Sequence, residues 1–151
     1  MIGSLIVEEI INRELKASED VVADVGDSIH AAHVVPPGEP LPAVLFYMAA
    51  TSQYDGATEL AGPDDINAET LQFDVVSMCK GRSHTPIRRA FRGQLAALSG
   101  REFYEVDEDG RHYQVTFTAR GETPLTTRVT GDEFMKALGT RYDIVVIRSE
   151  V

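Results

Sequence analysis

The side chains able to carry chemistry are two histidines, a serine beside a third, two acidic pairs and a single thiol. His30 and His33 stand three apart in an extended stretch, a spacing that sends them to opposite faces and not to one metal ion. Ser83 precedes His84, a nucleophile next to a base. Adjacency along the chain does not make them a hydrogen-bonded pair, and no Gly-x-Ser-x-Gly elbow surrounds them. The pair Asp64-Asp65 lies in an acidic loop and Glu8-Glu9 on the exposed side of a helix, and neither has a neighbouring motif that would tune a pKa. No glycine loop of the phosphate-cradling kind is present. Cys79, the only cysteine, ends an apolar strand, where a thiol behaves as a small hydrophobe. The expectation is a protein that is not an enzyme and needs neither cofactor nor metal.

Charge sharpens that expectation. At 151 residues the chain suits one domain, 1–151, and a domain of this size buries roughly 70% of the surface its unfolded chain exposes. With 24 acidic against 14 basic residues it carries −10, which argues against tight binding of nucleic acid, since phosphate affinity comes largely from basic side chains. Five cations nevertheless fall together: Lys80, Arg82, Arg88, Arg89 and Arg92. Arg88 and Arg92 lie one helical turn apart, with Arg89 beside them, away from the apolar stripe; they form either a solvated face or a docking surface for an acidic partner. The opening MIGSLIVEEII meets Glu8 and Glu9 before a signal-like run develops, and Ala43 to Ala50 is too short to span a bilayer, so a soluble chain without membrane contact is expected.

The elements that must position these residues centre on Thr70 to Gly100. Leu71, Phe73 and Val75 alternate with Gln72, Asp74 and Val76, a strand with one well-buried face. A helix follows, with Ser83, His84 and Thr85 as cap candidates, Pro86 in its first turn, and Ile87, Ala90, Phe91, Leu95 and Leu98 as its apolar stripe; Gly100 closes it in a left-handed conformation. Before this, Leu5 to Lys16 forms an amphipathic helix on Ile6, Val7, Ile10, Ile11 and Leu15. Glu14 falls within its stripe, as a buried carboxylate or where the last turn leaves the core. Ser18 opens a short helical segment to Val25 with Val21, Val22 and Val25 inward, ended by Gly26. Ser28 to Val35 is extended, Pro36 to Pro42 a stiff turn, and Ala43 to Ala50 a central strand buried on both faces or covered by a partner.

Thr51 to Ala68 reads as a long loop, functional or disordered, carrying Asp55, Glu59, Asp64 and Asp65 and no basic residue. Glu102 to Val106 and Tyr113 to Ala119 form a hairpin around Asp107, Glu108, Asp109 and Gly110, with Tyr113, Val115 and Phe117 inward. Gly121 to Thr130 is ambiguous, Asp132 to Leu138 reads as one or two helical turns, and Asp143 to Arg148 as a last strand. Together these predict an α+β fold, a single two-layer domain with a mostly antiparallel sheet of four to six strands and two main helices packed on one face.

This order of elements resembles the tail terminator proteins of long-tailed (siphovirus) bacteriophages, most tellingly in Pro36 to Pro42 followed by LPAVLFY and in the passage from Leu71 to Leu98. Gly121 to Gly139 matches no part of the pattern. The resemblance implies a structural protein of the virion tail, made in the host cytoplasm, that assembles as a hexameric ring on the tail tube, stops its growth and joins the head-completion (stopper) protein. DNA would pass through without tight binding. On that reading Arg82, Arg88, Arg89 and Arg92 face an adjoining subunit, and Asp55, Glu59, Asp64, Asp65, Asp107, Glu108 and Asp109 face the lumen or a partner. The alternatives are a head-closure or minor tail protein, or a small α+β ligand-binding domain or enzyme with an apolar pocket of Phe46, Tyr47, Phe73 and Tyr113.

Overall fold

The computed structural model describes residues 2–53, 66–123, 128–130 and 133–149. Two helices come first, α1 (Ile2–Ala17) and α2 (Glu19–Val25), then strands β1 (Ile29–His30), β2 (Ala43–Gln53) and β3 (Ile66–Lys80). A 3-10 turn, Thr85–Ile87, leads into α3 (Arg88–Leu98), followed by β4 (Glu102–Val106), β5 (His112–Thr123), β6 (Arg128–Thr130) and β7 (Glu133–Ser149). The strands form one sheet in the order β1-β2-β3-β7-β5-β4, with β6 paired to β7. All described pairings are antiparallel except β1 with β2. This is the α+β, two-layer arrangement expected, with one short strand more than the upper bound.

The layers meet on one sheet face. Val44 and Phe46 of β2, Leu71, Phe73 and Val75 of β3, Val115 and Phe117 of β5, and Tyr142, Ile144 and Val146 of β7 join Val7, Ile10, Ile11 and Leu15 of α1 in a single core. Period-two patterning in the strands and the three-to-four spacing in α1 bring these residues to one surface. Phe117 meets Phe103 and Tyr142 edge-on, with centroids 5.5 and 5.9 Å apart, the geometry that ring quadrupoles favour.

Local signals set the helix ends. The Ser18 hydroxyl accepts from the Val21 amide at 3.4 Å and opens α2. Gly100 adopts φ +70°, a left-handed conformation that strains residues with a side chain, and its amide donates to Phe117 O, tying the end of α3 to the sheet. α3 and α2 approach closely at Gly93. A Cβ there would stand 2.8 Å from Asp20 Cβ and 3.1 Å from Val21 Cγ2.

Four expectations need correction. Val22 is 39% exposed, because a seven-residue helix turns only Val21 and Val25 to the core. Ser28 to Val35 yields just two strand residues, its proline-bounded end leaving the sheet after His30. The long loop is shorter than 51–68, since β2 runs to Gln53 and β3 starts at Ile66. The largest departure is Asp132 to Leu138: Glu133–Leu138 is strand, part of the 17-residue β7 that pairs with β3 on one side and β5 on the other. Phe134, Met135, Lys136, Ala137 and Leu138 suit a helix locally, but cross-strand pairing such as Met135 with Lys80 overrides that weak preference.

Candidate assembly surfaces

The basic cluster sits on and just before α3. Ala90, Gly93, Gln94 and Leu98 turn inward and Phe91 and Leu95 are half-buried, so Arg88, Arg89 and Arg92 share the solvent side; Arg82 precedes the helix and is also exposed. Two arginines in a first helical turn oppose the helix dipole, and α2 supplies the compensation. Arg89 Nε donates to Asp20 Oδ1 at 2.6 Å, and Ala90 N donates to Asp24 Oδ2 at 2.7 Å. Asp20 holds the Arg89 guanidinium above its ordinary pKa. Arg89 is thus already paired within the chain, whereas Arg88 and Arg92 make no ion pair among the described residues.

The acidic turn between β4 and β5 is built around Asp107. Its Oδ1 accepts from the amides of Asp109 and Arg111, both at 2.9 Å, and its Oδ2 from the Tyr113 hydroxyl at 2.9 Å. These donors, the Arg111 amide first, hold the Asp107 carboxyl below its usual range. Burial, then the Asp107 carboxylate, pushes the Tyr113 phenol up. Glu108 and Asp109 are exposed at the tip. Between this turn and the N-terminal half of α1 lies an open groove of about 360 Å³, bordered by Leu5, Ile6, Glu9, Val106, Glu108 and Asp109 among others. Asp55, Glu59, Asp64 and Asp65 lie outside the described residues.

The sheet face away from the helices carries a charged lattice that spacing along the sequence does not reveal. Arg141 holds Asp74 in a two-pronged contact, Nε to Oδ1 at 2.8 Å and Nη2 to Oδ2 at 3.0 Å, with the Asp74 side chain only 4% exposed. Two residue pairs along, on the same face, Asp143 accepts from Gln72 Nε2 at 3.0 Å and meets Arg120 at 3.1 Å. Residues 67 and 71 positions apart meet here because β3 and β7 align Asp74 with Arg141 and Gln72 with Asp143. In the sequence, the sign of this was the polar pair Gln72 and Asp74 on the strand face opposite Leu71, Phe73 and Val75.

The chemical candidates are dispersed. Ser83 Oγ lies 2.8 Å from Thr85 Oγ1 and accepts from the Thr85 amide, while His84 stands at the entry to the 3-10 turn. His30 contacts the Ser28 hydroxyl at 3.1 Å, and His33 stacks on Tyr47 with ring centroids 4.3 Å apart. Cys79 is buried, its thiol donating to Ser83 O and pushed up in pKa by burial. Phe46, Phe73 and Tyr113 are packed in the core while Tyr47 points to the other face, so the four do not line one pocket. Among the described residues, no group of three or more His, Cys, Asp or Glu is placed to hold a metal ion, and no helix is long and apolar enough to cross a membrane.

What the geometry offers is therefore surfaces: a basic helix face, an acidic groove and a long sheet. No protein-family model matches the chain, and no curated protein matches it. Among solved structures, a chain in the virion of a native gene transfer agent particle has a similar fold, with a TM-score of 0.56 over 91% of this chain and 91% of that one, at 15% sequence identity. At that identity the likeness is one of fold.

Proposed function

We propose that this chain is a structural subunit of a phage-like particle and, more specifically, the tail terminator: a ring-forming protein that caps the tail tube, ends its growth and joins the head-completion protein. The observation that carries the reading is a fold likeness to a virion chain over 91% of both chains, in a protein whose order of elements resembles tail terminators independently of that match. The surfaces agree with it. Exposed charge includes a basic helix face at Arg88 and Arg92 and an acidic turn at Glu108 and Asp109, surfaces of opposite sign that a subunit could offer to its neighbours. The work is done by contacts and not by turnover, and the acidic segments keep passing DNA from adhering, since carboxylates repel phosphate.

Tube-length measurement tests this reading. Tail tube protein polymerised with and without this protein, imaged by negative stain, should give shorter tubes ended by a ring when it is present. Tubes of unchanged length with bare ends would overturn the terminator role. Binding to the head vertex in place of the tube end would assign the chain to head closure.

A further inference from the structure

We propose that the groove between the N-terminal half of α1 and the β4–β5 turn is the seat for the α3 basic face of a second copy of this chain. The inference rests on the ring-forming reading above and names the contact that would make the ring.

The groove has an apolar border and a rim of five carboxylates, Glu9, Glu105, Asp107, Glu108 and Asp109, against one cation, Arg111. Leu5 and Val106 are each 59% exposed, an unusual placement for two large aliphatic side chains beside one opening of about 360 Å³. The acidic groups around them divide into two sets. Glu105 is taken by Arg13 at 2.6 Å and Asp107 by the turn amides and Tyr113, so both serve to fix the walls. Glu9, Glu108 and Asp109 are exposed and have no ion-pair partner among the described residues.

The complementary surface is on the same chain but out of its own reach. Arg88 and Arg92 are exposed, unpaired among the described residues and one helical turn apart, hence about 6 Å from each other. Gly93 beside them packs against Ser18, Asp20 and Val21, just beyond the C-terminal end of α1, whereas the groove is bordered by Leu5, Ile6 and Glu9 near its start. The 16 residues of α1 separate the two patches by roughly 20 Å. Two unlike patches at opposite ends of a helix cannot satisfy each other within one molecule, but they can between molecules. Such a head-to-tail contact repeats from copy to copy and closes into a ring when its rotation divides the circle. In a chain of net −10, the pairing also offsets the repulsion that would keep copies apart.

A charge exchange tests the contact. One variant carries Arg88→Glu and Arg92→Glu, the other Glu9→Lys, Glu108→Lys and Asp109→Lys; all five sites are exposed, and circular dichroism should match the wild type. Sedimentation velocity over a concentration series should show self-association of each variant weakened about tenfold or more. An equimolar mixture of the two should recover assembly, because each reversed helix then meets a reversed groove and each native helix a native groove. Wild-type-like association of either variant alone, or a mixture that stays dissociated while the wild type assembles, overturns this contact and leaves ring formation standing. A wild type that remains monomeric at every concentration overturns it too, and tube length then decides the terminator role separately.

Discussion

Gln94 is the polar side chain that α3 buries completely, and it does so with both ends satisfied. Tyr142 Oη donates to Gln94 Oε1 at 2.5 Å, and Gln94 Nε2 donates to Thr140 Oγ1 at 2.8 Å, bridging helix and central strand across the core. Burial pushes the Tyr142 phenol far up, so it stays a neutral donor at any physiological pH. Gln94 stands four residues from both Ala90 and Leu98, inside the buried stripe of α3, and only β7, arriving from forty-odd positions away, supplies its partners. Removing one member leaves its buried neighbours without that hydrogen bond. Gln94→Ala should therefore cost roughly 1–3 kcal/mol for each group left unsatisfied, while Tyr142→Phe should cost less because it strands only the amide oxygen. Urea denaturation of the two single variants and the double variant checks this. Strictly additive losses would show that the three groups do not act as one network.

At the scale of elements, the β4–β5 hairpin turns on a single carboxylate with a stated pH dependence. Asp107 is held below its usual value of 3.8, so its folded pKa lies under its unfolded one. The stabilisation it gives is then complete above roughly pH 4 and is lost as pH falls through the lower folded value. The turn should keep its amide protection at Asp109 and Arg111 from pH 8 down to 5 and lose it only in stronger acid. NMR titration of the Asp107 carboxyl carbon should give a midpoint below 3.8; a midpoint at or above that would mean the two amides and the Tyr113 hydroxyl contribute nothing. Asp107→Asn at neutral pH should loosen the same amides. The turn borders the α1 groove, so its rigidity also sets how well that groove is preformed.

For the whole molecule, the governing quantity is the sign of the charge. On the tail-terminator reading proposed above, a ring of chains carrying −10 each must pair opposite charges at its contacts and can present the remainder to passing DNA. On the ring reading proposed above, with the β4–β5 turn given to a neighbouring copy, Asp55, Glu59, Asp64 and Asp65, in the 54–65 segment, are the carboxylates proposed to face the lumen. Replacing those four by lysine should leave the subunit folded while slowing DNA ejection, because added cations create phosphate sites along the channel. Particles assembled with this variant and ejecting at the wild-type rate would remove the segment from the lumen.

The sequence by itself determined the alternation of Leu71, Phe73 and Val75, the stripe of α1, the cap at Ser18, the stop at Gly100 and the hairpin around Asp107, since each rests on neighbours within a turn or a strand. It also brought Arg88 and Arg92 to one helix face. What only the tertiary structure decided are the features that need partners from afar. Glu133–Leu138 is strand because β3 and β5 flank it, against its helix-forming residues. Arg89 is paired because α2 places Asp20 against it, and Asp74 is tolerated in the sheet because register puts Arg141 opposite. The groove exists for the same reason: Leu5 and Glu9 border one opening with Val106 and Glu108 only once α1 is packed on the sheet, and no local pattern records the juxtaposition of residues a hundred positions apart.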